Sequence, residues 1–199
     1  AIIYTAQGVP FMLSGEEILR TKPIEGSKEF SHNSYNLNDY TNSIKWDTLD
    51  DEKTADMHEY YKGLIAFRAA HPALRMTTTE DIEANLAFME VEQKNVVAYT
   101  IANSPNGEKA KNILVAYNGN EEAVDITLPE GKWNVYINGD NAGTEVLEKV
   151  SGTVTVDAIS AMVLVQESGT SPVVLLIAAL GGIAIGIVAY LGFKKRKTA

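Results

Sequence analysis

The chain reads as a piece of α/β structure followed by an antiparallel all-β sandwich and then one transmembrane helix. Three observations predict this. Apolar residues alternate with period two from Leu86 to Gln166, and turn signals cut that region into short segments. Ahead of it, Met57, Tyr60, Tyr61, Leu64 and Phe67 recur at helical spacing. Behind it, Pro172 to Phe193 carries no charged residue, and Lys194, Lys195, Arg196 and Lys197 follow at once. At a rise of about 1.5 Å per residue that apolar stretch spans the roughly 30 Å hydrocarbon core. A basic cluster after such a span marks the cytoplasmic side.

Taken in order, Ala1–Thr5 is a short apolar run expected to form a buried strand, and Gln7-Gly8-Val9-Pro10 is a turn. Residues 20–45 are rich in Asn, Ser, Asp, Tyr and Lys and lack any period, which predicts a long and functional loop. Asp50-Asp51-Glu52 puts negative charge where the helix macrodipole favours it, so a helix starts there. It should stop at His71-Pro72, because a residue before proline disfavours the α region. The expected strands are Leu86–Glu92, Val96–Ala102, Asn112–Asn118, Ala123–Leu128, Lys132–Ile137, Thr144–Lys149, Thr153–Asp157 and Ser160–Gln166. Turns such as Ser104-Pro105-Asn106-Gly107, Pro129-Glu130-Gly131 and Asn138-Gly139-Asp140 separate them.

The part before the sandwich is too small to bury its own core, so it is expected to close a larger α/β domain. A chain opening inside a buried strand, with neither initiator Met nor export signal, is expected to have an upstream portion. The predicted organisation is residues 1–75 as the end of that domain, 76–166 as the sandwich, 167–171 as a linker, 172–193 as the membrane helix and 194–199 as a cytoplasmic tail.

The formal net charge is −9, and the basic tail leaves the remainder more acidic still. Such a surface repels nucleic acid and fits a neutral substrate or a protein partner. Without cysteine there is neither a disulfide framework nor a thiolate zinc site. His32, His58 and His71 lack metal-ligand spacing, and His71 reads as a helix-end residue bonding carbonyls or the dipole. Gly182-x-x-x-Gly186 matches a helix-pairing pattern inside the apolar span.

Glu16 and Glu17 are neighbours, so their side chains diverge by about 100° on a helix or face opposite ways on a strand. They do not make a catalytic pair, which must face each other across a substrate at about 5–9.5 Å. One carboxylate bonded to backbone N–H groups and one solvated is the expected arrangement. The segment His32–Asn42 gathers amides, hydroxyls and tyrosines. It suits a sugar, with Asn and Asp bonding vicinal hydroxyls and Tyr stacking on the ring. It suits a solvated surface loop equally well.

An ordered series of motifs resembles type I pullulanases, the α-1,6-debranching members of the α-amylase family of glycoside hydrolases. These are Gln7-Gly8-Val9-Pro10-Phe11, Gly15-Glu16-Glu17, Leu19-Arg20-Thr21-Lys22, Asn33-Ser34-Tyr35-Asn36, Asp39, Asn42 and Trp46. Tyr60-Tyr61-Lys62-Gly63-Leu64-Ile65 with Phe67-Arg68 is similar to the last helix of that family's barrel. The resemblance runs from residue 1 to about 166 and implies the last strand and helix of a (β/α)8 barrel followed by the family's C-terminal all-β domain.

The same resemblance implies substrate contacts at Asp39, Asn33, Tyr35 and Asn36, with Arg20 a weaker candidate. The family often carries an Arg three residues before the loop Trp; Ser43 stands there, and Ile24–Ser31 lengthens the loop. The family's Asp, Glu and Asp catalytic carboxylates belong to earlier strands, so no catalytic residue is assigned and this stretch alone is expected to be inactive. The residues imply no cofactor, and calcium stays open. The expected partners are an α-glucan (pullulan, branched starch or glycogen) and, through residues 172–193, a lipid bilayer, with no nucleic acid. The expected location is the outer face of a bacterial cell membrane. An α-1,4-cleaving amylase, or a glucan-binding surface protein without catalytic carboxylates, are the alternatives. Gln166–Pro172 lacks a Leu-Pro-x-Thr-Gly signal, which favours a retained anchor over sortase attachment.

Overall fold

The computed structural model describes residues 1–167. The predicted membrane helix at 172–193, the basic tail and most of the linker lie outside the described residues. Among the described residues no helix is long and apolar enough to cross a membrane.

The main helix, α3, spans Glu52–Ala70 and follows two single-turn helices, α1 (Ile2–Thr5) and α2 (Asp39–Asn42). Its start is where the acidic run predicts. The Asp51 carboxylate accepts from the Thr54 amide at 3.1 Å, satisfying one of the orphan donors of the first turn. It ends at His71, ahead of a 3₁₀ turn at Pro72–Arg75. A further helix, α4 (Thr79–Asn85), was not expected. Thr78 caps it, its hydroxyl accepting from Asp81 N–H at 3.1 Å, and the Thr-x-x-Asp spacing is the signal for it.

Eight strands follow: β1 (Leu86–Phe88), β2 (Val96–Ile101), β3 (Ile113–Asn118), β4 (Val124–Thr127), β5 (Trp133–Ile137), β6 (Glu148–Val150), β7 (Thr153–Val156) and β8 (Ser160–Gln166). Each falls within or against a predicted segment. The largest departure is β6, which pairs later than Thr144–Lys149 because its register on β5 begins at Trp133↔Val150. Six strands form one antiparallel sheet in the order β1-β2-β3-β8-β5-β6, and β4 and β7 form a two-stranded ribbon.

The period of two gives the large sheet two apolar faces. Tyr99, Ile101, Ile113, Val115, Val163 and Val165 face one cluster with Leu64 and Phe67 of α3 and Leu74 of the turn after it. Ala98, Leu114, Ala116, Met162 and Leu164 face another with Ile126, Val154 and Val156 of the ribbon. On β5, Trp133 and Val135 face the ribbon, while a register shift after Val135 sets Ile137 opposite Val163 and returns it to the helix side. This is a β-bulge re-aiming one side chain. Full burial of Trp133, Leu114 and Leu164 contributes roughly 1.5–3 kcal/mol each. Buried Asn118 fastens sheet to ribbon, its Nδ2 donating to the carbonyls of Glu122 (2.8 Å) and Asp157 (2.8 Å).

The first element corrects the sequence reading. Ala1–Thr5 is not a strand: Ile2–Thr5 forms one helical turn, with Thr5 N–H on the Ala1 carbonyl (3.1 Å) and Ala6 N–H on that of Ile2 (3.0 Å). A barrel strand takes its hydrogen bonds from strands on either side. Among the described residues none flanks this segment, so its backbone groups close locally. A short apolar run is compatible with either state.

Candidate functional site

The loop over residues 20–46 is braced from within. At its root a 3₁₀ turn, Glu16–Ile18, lies between Gly15 (φ 96°) and Leu19 (φ 54°), and Ile18 is buried. Glu17 accepts the Gly15 N–H at 2.9 Å while Glu16 is exposed, the arrangement expected of the pair. Gly15 has a steric reason as well as its φ: a Cβ there would lie 2.5 Å from Arg20 Cδ.

Asn42 is the hub of the loop. Its Nδ2 donates to the carbonyls of Ser34 (2.7 Å) and Leu37 (2.9 Å), and its Oδ1 accepts from Lys22 Nζ (2.8 Å). The Thr41 hydroxyl donates to the Pro23 carbonyl at 2.8 Å. Pro23 and Phe30 pair as a bridge, closing the residues between them into a hairpin-like turn. The short helix α2 starts at Asp39, capped by Asn38.

The candidate residues divide in two. Asn33, Tyr35, Asn36 and Asp39 are all exposed, Tyr35 at 84 %, and among the described residues no side-chain hydrogen bond uses the Asp39 carboxylate. Arg20 turns inward instead: its guanidinium donates to the Ser14 carbonyl (2.9 Å) and to that of Asn42. Arg20 therefore braces the loop, while the other four form its outward surface with Tyr40 and Trp46, both exposed. Such a surface offers carboxylate and amide groups for hydroxyls and aromatic faces for an apolar ring. Among the described residues no three His, Asp or Glu side chains are placed to hold a metal ion.

His71 stands at the end of α3 as expected, but its side chain bonds differently. Among the described residues its ring meets no helix carbonyl. Nδ1 lies 3.3 Å from both oxygens of Glu108, and the ring stacks on Phe67 with centroids 4.2 Å apart. The sequence reading did not anticipate Glu108, nor Gln7, Arg68, Tyr99 and Tyr117, which hold the N-terminal segment. Strand and helix periodicity marks positions as buried but does not say which polar groups meet there.

A separate groove of about 1090 Å³ runs between α3 and the turns at Gly139–Ala142 and Ile159–Ala161, and no residue of the 20–46 loop lines it. Tyr60 sits in its wall with its hydroxyl donating to the Asn138 carbonyl at 2.9 Å. Burial, and secondarily the charge of Asp140, push the Tyr60 phenol up to about 12 from 10.0. The folded-state value lies above the unfolded one, so the stabilisation is complete below about pH 10 and is lost as the pH rises to about 12. Discounted for residual solvent contact, the loss is about 2 kcal/mol. Urea midpoints at pH 9.5 and 11.5 should diverge less in Tyr60→Phe than in the wild type; equal divergence in both would contradict this.

The fold of this helix-backed antiparallel sandwich and the loop before it is shared with solved pullulanases. The family described as "Pullulanase, all-beta domain" matches residues 82–141. The chain thus carries a pullulanase all-beta domain. It is similar in structure to the pullulanase from Bacillus acidopullulyticus, with a TM-score of 0.76 and 40% identity over 83% of this chain and 19% of that one. The pullulanase of Bacillus subtilis strain 168 is 31% identical over 84% of this chain and 22% of its own length. Its type I structure, complexed with maltose, superposes with a TM-score of 0.70 over 84% of this chain and 22% of that one. An isoamylase from a Flavobacterium species is 34% identical over 65% of this chain and 18% of its own length. The chain thus spans about a fifth of the length of the relatives it matches.

Proposed function

We propose that this chain is the C-terminal part of a debranching glycoside hydrolase that cleaves α-1,6-glucosidic links in pullulan or other branched α-glucans. The observation that carries the reading is the outward set Asn33, Tyr35, Asn36 and Asp39 on a loop braced by Asn42 and Arg20, in a chain that carries this domain. A rigid loop holds such groups ready for a saccharide without a large ordering cost at binding. The maltose complex of the Bacillus subtilis relative supports a glucose-based ligand.

On this reading the chain supplies substrate contacts and the sandwich, and the retaining carboxylates come from other strands of a (β/α)8 barrel ending near residue 75. Adjacent Glu16 and Glu17 cannot replace them: Glu17 is turned back onto Gly15 while Glu16 faces solvent. A location on the outer face of the cell membrane is part of the proposal, supported by the uncharged stretch Pro172–Phe193 and the Lys194–Lys197 cluster.

Titrating the chain with maltotriose, followed by NMR or calorimetry, tests the loop assignment. Tyr35→Ala and Asp39→Ala should each weaken binding about tenfold, the loss expected for one stacked ring or one charge-assisted hydrogen bond. Unchanged affinity in both variants would remove the loop from the site. Incubation with pullulan should yield no reducing ends, and turnover by the purified chain would overturn the placement of the catalytic groups. Reading the gene on the 5′ side of the Ala1 codon completes the test. A barrel with its Asp, Glu and Asp supports the enzyme, whereas a barrel lacking them means a glucan-binding protein.

A further inference from the structure

The segment Tyr4–Gly8, immediately before the loop region, is gripped from two sides. From α3, buried Arg68 donates through Nη1 to the carbonyls of Tyr4 (2.9 Å) and Ala6 (2.7 Å), and through Nη2 to that of Gly8. Among the described residues this guanidinium has no carboxylate partner. Burial, and then the charge of Arg75, lower its pKa from the usual value. A buried charge is costly unless it is bonded, so the carbonyls of this one segment are its compensation. From the sheet, the Tyr99 hydroxyl on β2 donates to the Thr5 carbonyl at 2.8 Å. The Tyr117 hydroxyl on β3 lies 2.6 Å from Thr5 Oγ1 and 3.2 Å from the Tyr99 hydroxyl.

Gln7 completes the grip. Its side-chain amide donates to the Ala73 carbonyl (2.9 Å) and accepts from Met76 N–H (3.0 Å), as a strand neighbour would. The Tyr4 hydroxyl reaches Met12 Sδ at 2.7 Å, carrying the hold forward to the root of the loop. The grip stops sharply: Val9 and Phe11, just beyond Gly8, are 94% and 88% exposed.

We propose that Arg68, Tyr99 and Tyr117 are positioning residues for the loop that bears Asn33, Tyr35, Asn36 and Asp39. The all-β domain then sets the base of a saccharide-binding loop rather than serving as a passive appendage. Two tyrosine hydroxyls from β2 and β3 meet Thr5, so the loop's departure point is fixed relative to the sheet as well as to α3. The saccharide part of this inference rests on the proposed function; the positioning part does not.

Hydrogen exchange on the full chain separates the two. Tyr99→Phe, the Tyr99→Phe/Tyr117→Phe pair and Arg68→Lys should each make the hydrogen-bonded amides of Arg20, Ser31 and Thr41 exchange roughly tenfold faster, with β3 and β8 amides unchanged. Iodide quenching should report the same change through exposed Trp46, because fully buried Trp133 stays silent. Unaltered exchange at residues 9–46 would overturn the inference. So would an equal loss of protection in β3 and β8, which would mean that these residues hold the whole fold. Arg68→Lys keeps the charge but loses the fork, so the milder Tyr99→Phe decides the matter should Arg68→Lys fail to fold. A parallel maltotriose titration should show several-fold weaker binding in Tyr99→Phe. Absence of binding by the wild type would refute the proposed function and leave the exchange result standing as the test of positioning.

Discussion

Glu108→Ala should destabilise the chain by about 3 kcal/mol, the loss expected when buried N–H groups are left without their acceptor at about 1–3 kcal/mol each. Glu108 lies in the β2–β3 connection with its side chain 2% exposed. One oxygen accepts the Lys109 (2.8 Å) and Ala110 (2.9 Å) amides, and the other lies 3.4 Å from the Ala73 amide. Both oxygens face His71 Nδ1 at 3.3 Å. The carboxylate therefore joins three things: the end of α3, the turn after it and the sheet. Alanine leaves the Ala73 and Ala110 amides buried without their acceptor, beside the contact between Phe67, His71 and Tyr136. Thermal unfolding followed by circular dichroism should show a fall of about 10 °C or more. Glu108→Gln keeps an acceptor for the two adjacent amides and should lose less than half as much. A change within about 0.5 kcal/mol for Glu108→Ala would place it with ordinary surface substitutions and refute the joint.

That joint shows where sequence reading stops. The strands were legible because each buried face repeats every second residue, and the turns between them carry Gly, Pro and Asn. The helix was legible from its acidic start, its apolar spacing and His71-Pro72. Ala1–Thr5 was not, because a strand is defined by its neighbours and an apolar pentapeptide does not name them. The loop's polar composition was visible in Asn33, Tyr35, Asn36 and Asp39, and their exposure agrees with it. Arg20 shows the limit of motif transfer: a charged residue in a substrate loop can equally hold that loop together, and here it bonds two carbonyls. Glu108 and Arg68 pair with groups at sequence separations of 37 and 60 or more. Nothing in local spacing encodes such a meeting.

Gly63→Ala should also destabilise, against the usual expectation for a helix. A glycine inside an exposed helix costs about 1 kcal/mol relative to alanine, so the substitution would ordinarily gain that amount. At this position α3 crosses the backbone of the turn at Asn138–Ala142. A Cβ on Gly63 would lie 1.9 Å from the Ala142 carbonyl oxygen and 2.4 Å from its carbon. The turn has little freedom to yield. Asn138 Oδ1 accepts from the Asp140 (3.0 Å) and Asn141 (2.7 Å) amides, and Ile137 and Ala142 pair as a bridge. The helix must then move away, one turn from where the Tyr60 hydroxyl holds the Asn138 carbonyl. Overpacking typically costs about 1–3 kcal/mol, and a stretched Tyr60 hydrogen bond adds about 1 kcal/mol. Against a propensity gain of about 1 kcal/mol, a net loss of about 1–3 kcal/mol is expected. A cycle with Tyr60→Phe locates the cause. If the alanine has already broken the Tyr60 bond, the two losses will be less than additive. Full additivity would put the disturbance elsewhere, and a raised melting temperature for Gly63→Ala alone would show that helix and turn do not approach this closely.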